Sequence, residues 1–153
     1  MLQSLDFCSL PPIRHGSLVT GTQAADAMPD RNSLRVVVVE DNYDANVALF
    51  KLLEKSGFQV AGRAYDGLSG LSVIKSTKPD VAILDIAMPA LDGFGLARRI
   101  RGEVDPPPRL VALTGFGMES EKSEATSAGF DAYFCKPADW PALQAVLDSY
   151  LSQ

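Results

Sequence analysis

Four sites in this sequence place polar side chains directly after apolar runs, and these side chains are the ones suited to chemistry. Glu40 and Asp41 follow a run of four valines, and Asp85 follows a continuous apolar run. Thr114 and Lys136 end two further apolar runs. Three crowded carboxylates repel one another, and a hard divalent cation with oxygen ligands relieves that repulsion. Together with an ammonium group and a hydroxyl, they suit Mg²⁺-dependent phosphoryl transfer to an aspartate.

The residues between these sites predict strands that alternate with helices. The four apolar runs are continuous, which favours buried central strands, whereas residues 58–61 alternate as in a strand nearer an edge. Apolar residues recur at helical spacing between the runs, and Gly57, Pro79 and the prolines 106–108 end three of the predicted helices. Strands separated by helices pair in parallel through right-handed crossovers. The sequence therefore predicts a doubly wound α/β fold whose strands all end at one edge of the sheet.

Each of these residues also has an ordinary structural explanation. Asp41 suits the cap of a helix, and Thr114 suits a strand because its side chain is β-branched. Lys136 suits a solvated surface position. Their joint occurrence at the ends of four predicted strands favours one shared site over separate coincidences.

These motifs resemble those of the receiver domain of bacterial two-component response regulators, and the resemblance extends over residues 34–151. The matching stretches are the acidic pair 40–41, residues 85–89 with 92–93, residues 113–115 and residues 133–137. The resemblance implies a flavodoxin-like, five-stranded parallel sheet of strand order 2-1-3-4-5 with five helices. It also implies a phosphoacceptor rather than an enzyme with a separate substrate.

The resemblance assigns the metal and the acceptor to particular positions. Asp85 is expected to accept a phosphoryl group from a phosphohistidine. Asp41 and Glu40 are expected to hold Mg²⁺ together with Asp85 and the backbone carbonyl of Ala87. The implied partners are a histidine kinase or a histidine phosphotransfer protein, and a downstream protein target.

The resemblance also assigns the residues that respond to phosphorylation. Thr114 is expected to bond a phosphoryl oxygen, and Lys136 is expected to pair with the same group. Tyr133 occupies an aromatic switch position and is expected to turn inward as Thr114 moves. The bond from Lys136 to Pro137 is expected to be cis and to hold the lysine in place.

Two further positions, which vary within this family, bear on how long the phosphoryl group stays. Ala87 lies two residues after Asp85, and Phe116 lies two residues after Thr114. Neither side chain can orient an attacking water molecule. We therefore expect an aspartyl phosphate that is lost slowly.

Composition and charge limit the remaining possibilities. The chain has 153 residues, 46% hydrophobic and 22% charged, with a net charge of -5, which suits one ordinary domain and does not favour nucleic acid or a membrane as a partner. Residues 1–33 lack a sustained period and are predicted to form a poorly ordered tail before a receiver domain at 34–153. Without a signal or spanning segment, a cytoplasmic location is expected. No DNA-binding domain is expected, and Cys135 is expected to be a buried thiol.

Other functions of this fold fit the sequence less well. A flavodoxin-like cofactor binder needs a phosphate-binding loop after its first strand, where this chain has acidic residues 40–41. A phosphatase with an aspartyl nucleophile would carry an Asp-x-Asp motif there. One alternative stays open, namely a receiver-like interaction module whose output does not depend on phosphorylation.

Overall fold

A computed structural model describes residues 5–6, 30–115 and 119–151. Within these residues, six strands form one sheet, with five α-helices and a short 3₁₀-helix (Arg31–Ser33). The strands are β1 (Leu5–Asp6), β2 (Arg35–Val39), β3 (Gln59–Ala64), β4 (Val81–Asp85), β5 (Arg109–Thr114) and β6 (Ala132–Cys135). The helices are α1 (Tyr43–Lys55), α2 (Gly67–Thr77), α3 (Gly93–Glu103), α4 (Glu119–Ala128) and α5 (Trp140–Leu151).

All strand pairs are parallel, and the sheet order is β1-β6-β5-β4-β2-β3. The five strands from β2 to β6 therefore stand in the order second, first, third, fourth, fifth. This confirms the predicted flavodoxin-like sheet with its five helices. The strand β1 adds an outer edge beside β6, where Leu5 pairs with Ala132 and Asp6 pairs with Tyr133.

The alternation of side chains along the strands builds one core on each face of the sheet. Val37 and Val39 of β2 point into the core that α2, α3 and α4 cover, whereas Val36 and Val38 point into the core under α1 and α5. All four valines are 0% exposed, which explains why this run is apolar throughout rather than alternating. The helices on both faces thus fix β2 and β4 in the middle of the molecule.

Side-chain caps fix the start of three of the helices that begin at the carboxyl edge of the sheet. Asn42, Asp66 and Asp92 accept hydrogen bonds from backbone N–H groups in the first turns of α1, α2 and α3. The cap of α1 is therefore Asn42 and not Asp41. Its neighbour Asp41 is exposed, so a capping role does not explain that carboxylate.

Arg31, which lies in the predicted tail, contacts the domain that follows it. Arg31 donates two hydrogen bonds of 2.9 Å to the carboxylate of Asp148, and a third of 3.1 Å to the carbonyl of Ser56. Its guanidinium also lies over the ring of Phe58, 5.3 Å from the centroid. Most of the predicted tail, 1–4 and 7–29, lies outside the described residues, so its disorder stays a prediction.

Cys135 is disulfide-bonded, so the prediction of a buried free thiol is wrong. The only other cysteine of the sequence, Cys8, lies outside the described residues. The strand β1 pairs with β6 in the register of Asp6 with Tyr133, which brings residues of the predicted tail beside the strand that ends in Cys135. Spacing along the chain carries no signal of that register.

Within the described ranges no helix is long and apolar enough to cross a membrane.

Candidate functional site

The structure gathers three carboxylates at the carboxyl edge of the sheet. Asp85 is the last residue of β4, and Glu40 and Asp41 follow β2, which is its direct neighbour in the sheet. One oxygen atom from each carboxylate lies within 4.8 Å of the other two. Glu40 and Asp85 are each 2% exposed, whereas Asp41 is exposed. The predicted cluster therefore exists, with two buried members and one that faces solvent.

Lys136, which follows β6, reaches the same cluster. Its Nζ atom lies 2.6 Å from Oε1 of Glu40 and 3.2 Å from Oδ1 of Asp85. Its backbone N–H donates a 2.6 Å hydrogen bond to the carbonyl of Thr114, and its bond to Pro137 is cis, as predicted. The lysine is thus tied to β5 by its backbone and to the carboxylates by its side chain.

A buried asparagine holds the loop that carries the acidic pair. The side-chain amide of Asn46 donates to the carbonyls of Glu40 and Ala64 at 3.0 and 2.9 Å, and Asn46 is 0% exposed. The carboxylate of Glu40 also accepts a 3.0 Å bond from the N–H of Asn42. Asn46 was not among the residues predicted to form the site. Its signal was available, because residue 46 shares the inward face of α1 with Leu53.

Burial and neighbouring negative charge both act on the carboxyl of Asp85. Burial, hydrogen bonding to the Glu40 and Asp41 carboxyls and the charge of Glu40 together raise the pKa of Asp85 to about 7, whereas the charge of Lys136 acts in the opposite direction. Burial alone would lower the pKa of Lys136, but its hydrogen bond to Glu40 and the negative charges of Asp85 and Glu40 outweigh this and raise it. One ammonium group therefore does not neutralise three carboxylates.

This donor set fits a hard divalent cation such as Mg²⁺. All three side chains offer oxygen atoms, which Mg²⁺ prefers, and their mutual repulsion is the effect that a cation would remove. Glu40, Asp41 and Asp85 would hold the ion. Ala87 lies in the exposed loop after β4, and its N–H donates a 3.3 Å bond to Oδ1 of Asp85. The role of its carbonyl as a ligand stays a prediction.

Gly93 allows α3 to begin directly against the end of β4. A Cβ atom at this position would lie 2.6 Å from the carbonyl oxygen of Asp85 and 2.7 Å from Cα of Ile86. The N–H of Gly93 donates to the carbonyl of Ile86, and the N–H of Ile86 donates to the carbonyl of Leu113, both at 2.9 Å. The backbone that carries Asp85 is therefore held by β5 on one side and by α3 on another.

Thr114 and Tyr133, two of the residues predicted to respond to phosphorylation, share one partner. Thr114 donates a 2.7 Å hydrogen bond to Oε1 of Glu121, and the Tyr133 hydroxyl donates a 3.0 Å bond to the same oxygen. Both donors are 1% exposed. Tyr133 is thus inside the protein in this conformation, and a turn of its ring on phosphorylation stays a prediction. The half-buried carboxylate of Glu121 is the partner of its hydroxyl in this position.

A parallel sheet with buried carboxylates and a lysine at its carboxyl edge is the arrangement of a receiver domain. The model of the response regulator receiver domain family matches residues 36–148, so the chain belongs to this family. The response regulator MprA of Mycobacterium tuberculosis is 39% identical over 105 residues, which cover 69% of this chain and 45% of MprA. The chain thus spans less than half the length of this relative.

Solved structures agree with the family and the fold. The BeF₃-activated N-terminal receiver domain of Klebsiella pneumoniae RstA matches with a TM-score of 0.71 at 28% identity, covering 78% of this chain and 99% of that one. The response regulator domain of Thermotoga maritima CheB also matches with a TM-score of 0.71, at 25% identity, covering 78% and 97% of the two chains.

Proposed function

We propose that this protein accepts a phosphoryl group on Asp85 from a phosphohistidine of a histidine kinase or a histidine phosphotransfer protein. The observation that carries the proposal is the position of Asp85 at the end of β4, buried, with the Lys136 ammonium 3.2 Å away. Glu40 and Asp41 complete a cluster of carboxylates that is suited to a divalent cation.

The transfer moves one phosphoryl group between two side chains. An oxygen of the ionised Asp85 carboxylate attacks phosphorus, the new P–O bond forms as the P–N bond to the donor imidazole breaks, and that imidazole leaves. Bound Mg²⁺ would supply positive charge for the phosphoryl oxygens. The ammonium of Lys136 is placed to add a second cation beside the acceptor.

We infer further roles for the residues around the acceptor. After the transfer, Lys136 and the hydroxyl of Thr114 would bind phosphoryl oxygens. The family supports a phosphoacceptor that assists its own phosphorylation and dephosphorylation, in the cytoplasm, and that passes the signal on through contacts with a downstream protein.

The test is phosphorylation by a small donor, such as phosphoramidate, with MgCl₂, followed by mapping of the acid-labile adduct. Wild type should be modified at Asp85, and chelation of Mg²⁺ or the substitution Asp85→Asn should abolish the adduct. Asp44→Asn is the matched control, because Asp44 is an exposed carboxylate in the first turn of α1, outside the cluster. An adduct of equal yield in Asp85→Asn would refute the proposal.

The same variants test the alternative, an interaction module that does not depend on phosphorylation. A downstream partner should bind phosphorylated wild type more tightly than it binds Asp85→Asn. Equal affinity for the phosphorylated, unphosphorylated and Asp85→Asn proteins would favour the alternative.

A further inference from the structure

Glu121, the third residue of α4, joins the helix to two strands through one oxygen atom. Its Oε1 accepts the hydrogen bonds of 2.7 Å from Thr114 and 3.0 Å from Tyr133. We call these three side chains the hydroxyl latch. Hydrogen bonds to a carboxylate are stronger than those between neutral groups, and buried hydroxyls require a partner. The hydroxyl latch is thus a firm polar contact between α4 and the ends of β5 and β6.

The hydroxyl group of Thr114 has one proton and can donate only one hydrogen bond at a time. A hydroxyl group donates one hydrogen bond, and that bond now goes to Glu121. Thr114 lies next to Leu113, which pairs with Asp85 across the β4–β5 ladder. If the Thr114 hydroxyl donates to a phosphoryl oxygen on Asp85, it must therefore give up Glu121. A phosphoryl oxygen on Asp85 and the carboxylate of Glu121 thus compete as acceptors for the hydrogen bond that Thr114 donates.

The apolar contacts of α4 give little support once this bond is lost. The buried apolar side chains of α4 among the described residues are Ala125 and Ala128, which are small. Glu121 shares their face, because residues 121, 125 and 128 follow helical spacing. Little apolar area resists a movement of the helix, so the polar contact through Glu121 has a large share in setting its position.

We propose that Glu121 is a positioning residue that holds Thr114 on α4 in the unphosphorylated protein and releases α4 when Thr114 turns to the phosphoryl group. Glu121 thereby opposes phosphorylation and couples it to α4. This inference rests on the proposed function, because it assumes a phosphoryl group on Asp85.

The test measures the affinity of the whole chain for beryllofluoride, a phosphoryl mimic, with MgCl₂ by titration calorimetry. Glu121→Ala should bind about three- to tenfold more tightly than wild type, because Thr114 no longer has a competing acceptor. Glu121→Gln keeps an oxygen acceptor without the charge and should lie between the two. The matched control is Glu124→Ala on the same helix. Glu124 is exposed and pairs at 3.2 Å with Arg98, so its loss should leave the affinity unchanged.

A double-mutant cycle separates a positioning role from a general loss of structure. In a Thr114→Val background the hydrogen bond from residue 114 to Glu121 is already absent, so adding Glu121→Ala should change the affinity by less than about twofold. Equal affinities of wild type and Glu121→Ala, or the same gain with and without the Thr114 hydroxyl, would overturn the role of Glu121. If wild type itself binds no beryllofluoride, the proposed function fails as well.

Discussion

The candidate site at the carboxyl edge of the sheet has two halves, which are packed in different ways. The acceptor half, around Asp85, lies between β2, β5 and α3, and α3 buries Phe94, Leu96, Ala97 and Ile100. The switch half consists of Thr114, Tyr133 and α4, whose buried described side chains are two alanines. A phosphoryl acceptor must be held in place, whereas an output element must move at low cost. The difference in packing therefore fits the proposed division into a phosphoacceptor and an output element.

The largest expected effect is on the free energy of unfolding, and it compares α3 with α4. Ile100→Ala removes a side chain that is 0% exposed and should cost about 2–5 kcal/mol. Ala125→Gly, at a position of equal burial in α4, should cost only about 1–2 kcal/mol through helix propensity and the loss of one buried methyl group. Urea denaturation measures both. Equal losses would contradict the contrast in packing.

The second prediction tests how closely the acceptor half must be held. Gly93→Ala forces a methyl group against the carbonyl of Asp85 and should slow phosphorylation by roughly 10²-fold, as expected for a displacement of about 1 Å. Gly102→Ala, near the end of the same helix, is the control. A Cβ atom there meets nothing within 4 Å, so the rate should stay at the wild-type value. A wild-type rate in Gly93→Ala would show that the close approach is unimportant.

The third prediction concerns the charge of the acceptor half. The pKa of Asp85 is raised to about 7 in the folded protein, whereas an aspartate in the unfolded chain titrates near pH 4. Between these two pH values the folded protein therefore binds a proton that the unfolded chain does not. Without Mg²⁺, the free energy of unfolding should therefore fall as the pH rises from about 4 to about 7. At pH 8, Asp85→Asn should be more stable than wild type by about 1–3 kcal/mol.

Mg²⁺ provides the control for this charge effect. At pH 8 it should stabilise wild type, because a cation offsets the charge of ionised Asp85, and it should stabilise Asp85→Asn much less. A variant less stable than wild type at pH 8 without Mg²⁺ would contradict the assigned repulsion.

The smallest expected effect concerns the lifetime of the phosphoryl group. Ala87 is exposed, two positions after Asp85, and offers no side chain that can orient water. Ala87→Asn should speed the loss of phosphate by about tenfold, which corresponds to about 1.4 kcal/mol in the barrier. Ala87→Val adds bulk without a hydrogen-bonding group and should not. Equal decay of Ala87→Asn and wild type would show that water positioning at residue 87 does not limit the reaction. Phe116, the other position with this expectation, lies outside the described residues.

The sequence predicted the acceptor half better than the switch half, for physical reasons. Asp85 and the acidic pair follow long apolar runs, and a parallel sheet brings such strand ends together whatever the details of packing. The position of Tyr133 depends instead on Glu121, and no pattern in the sequence indicates which partner a tyrosine hydroxyl finds. The visible signal was a carboxylate on the same helical face as the two alanines of α4. The short strand β1 has no periodicity to detect, because it contains two residues.

Amide hydrogen exchange, measured with and without beryllofluoride and Mg²⁺, compares the two halves most directly. We predict faster exchange in α4, as the Thr114 hydroxyl leaves Glu121, and no change in the amides of β2 and β4. The control is Thr114→Val, in which the mimic should leave exchange in α4 unaltered. Changes confined to the loops after Asp41 and Asp85, with none in residues 119–135, would contradict the division of the edge into a held acceptor and a movable switch.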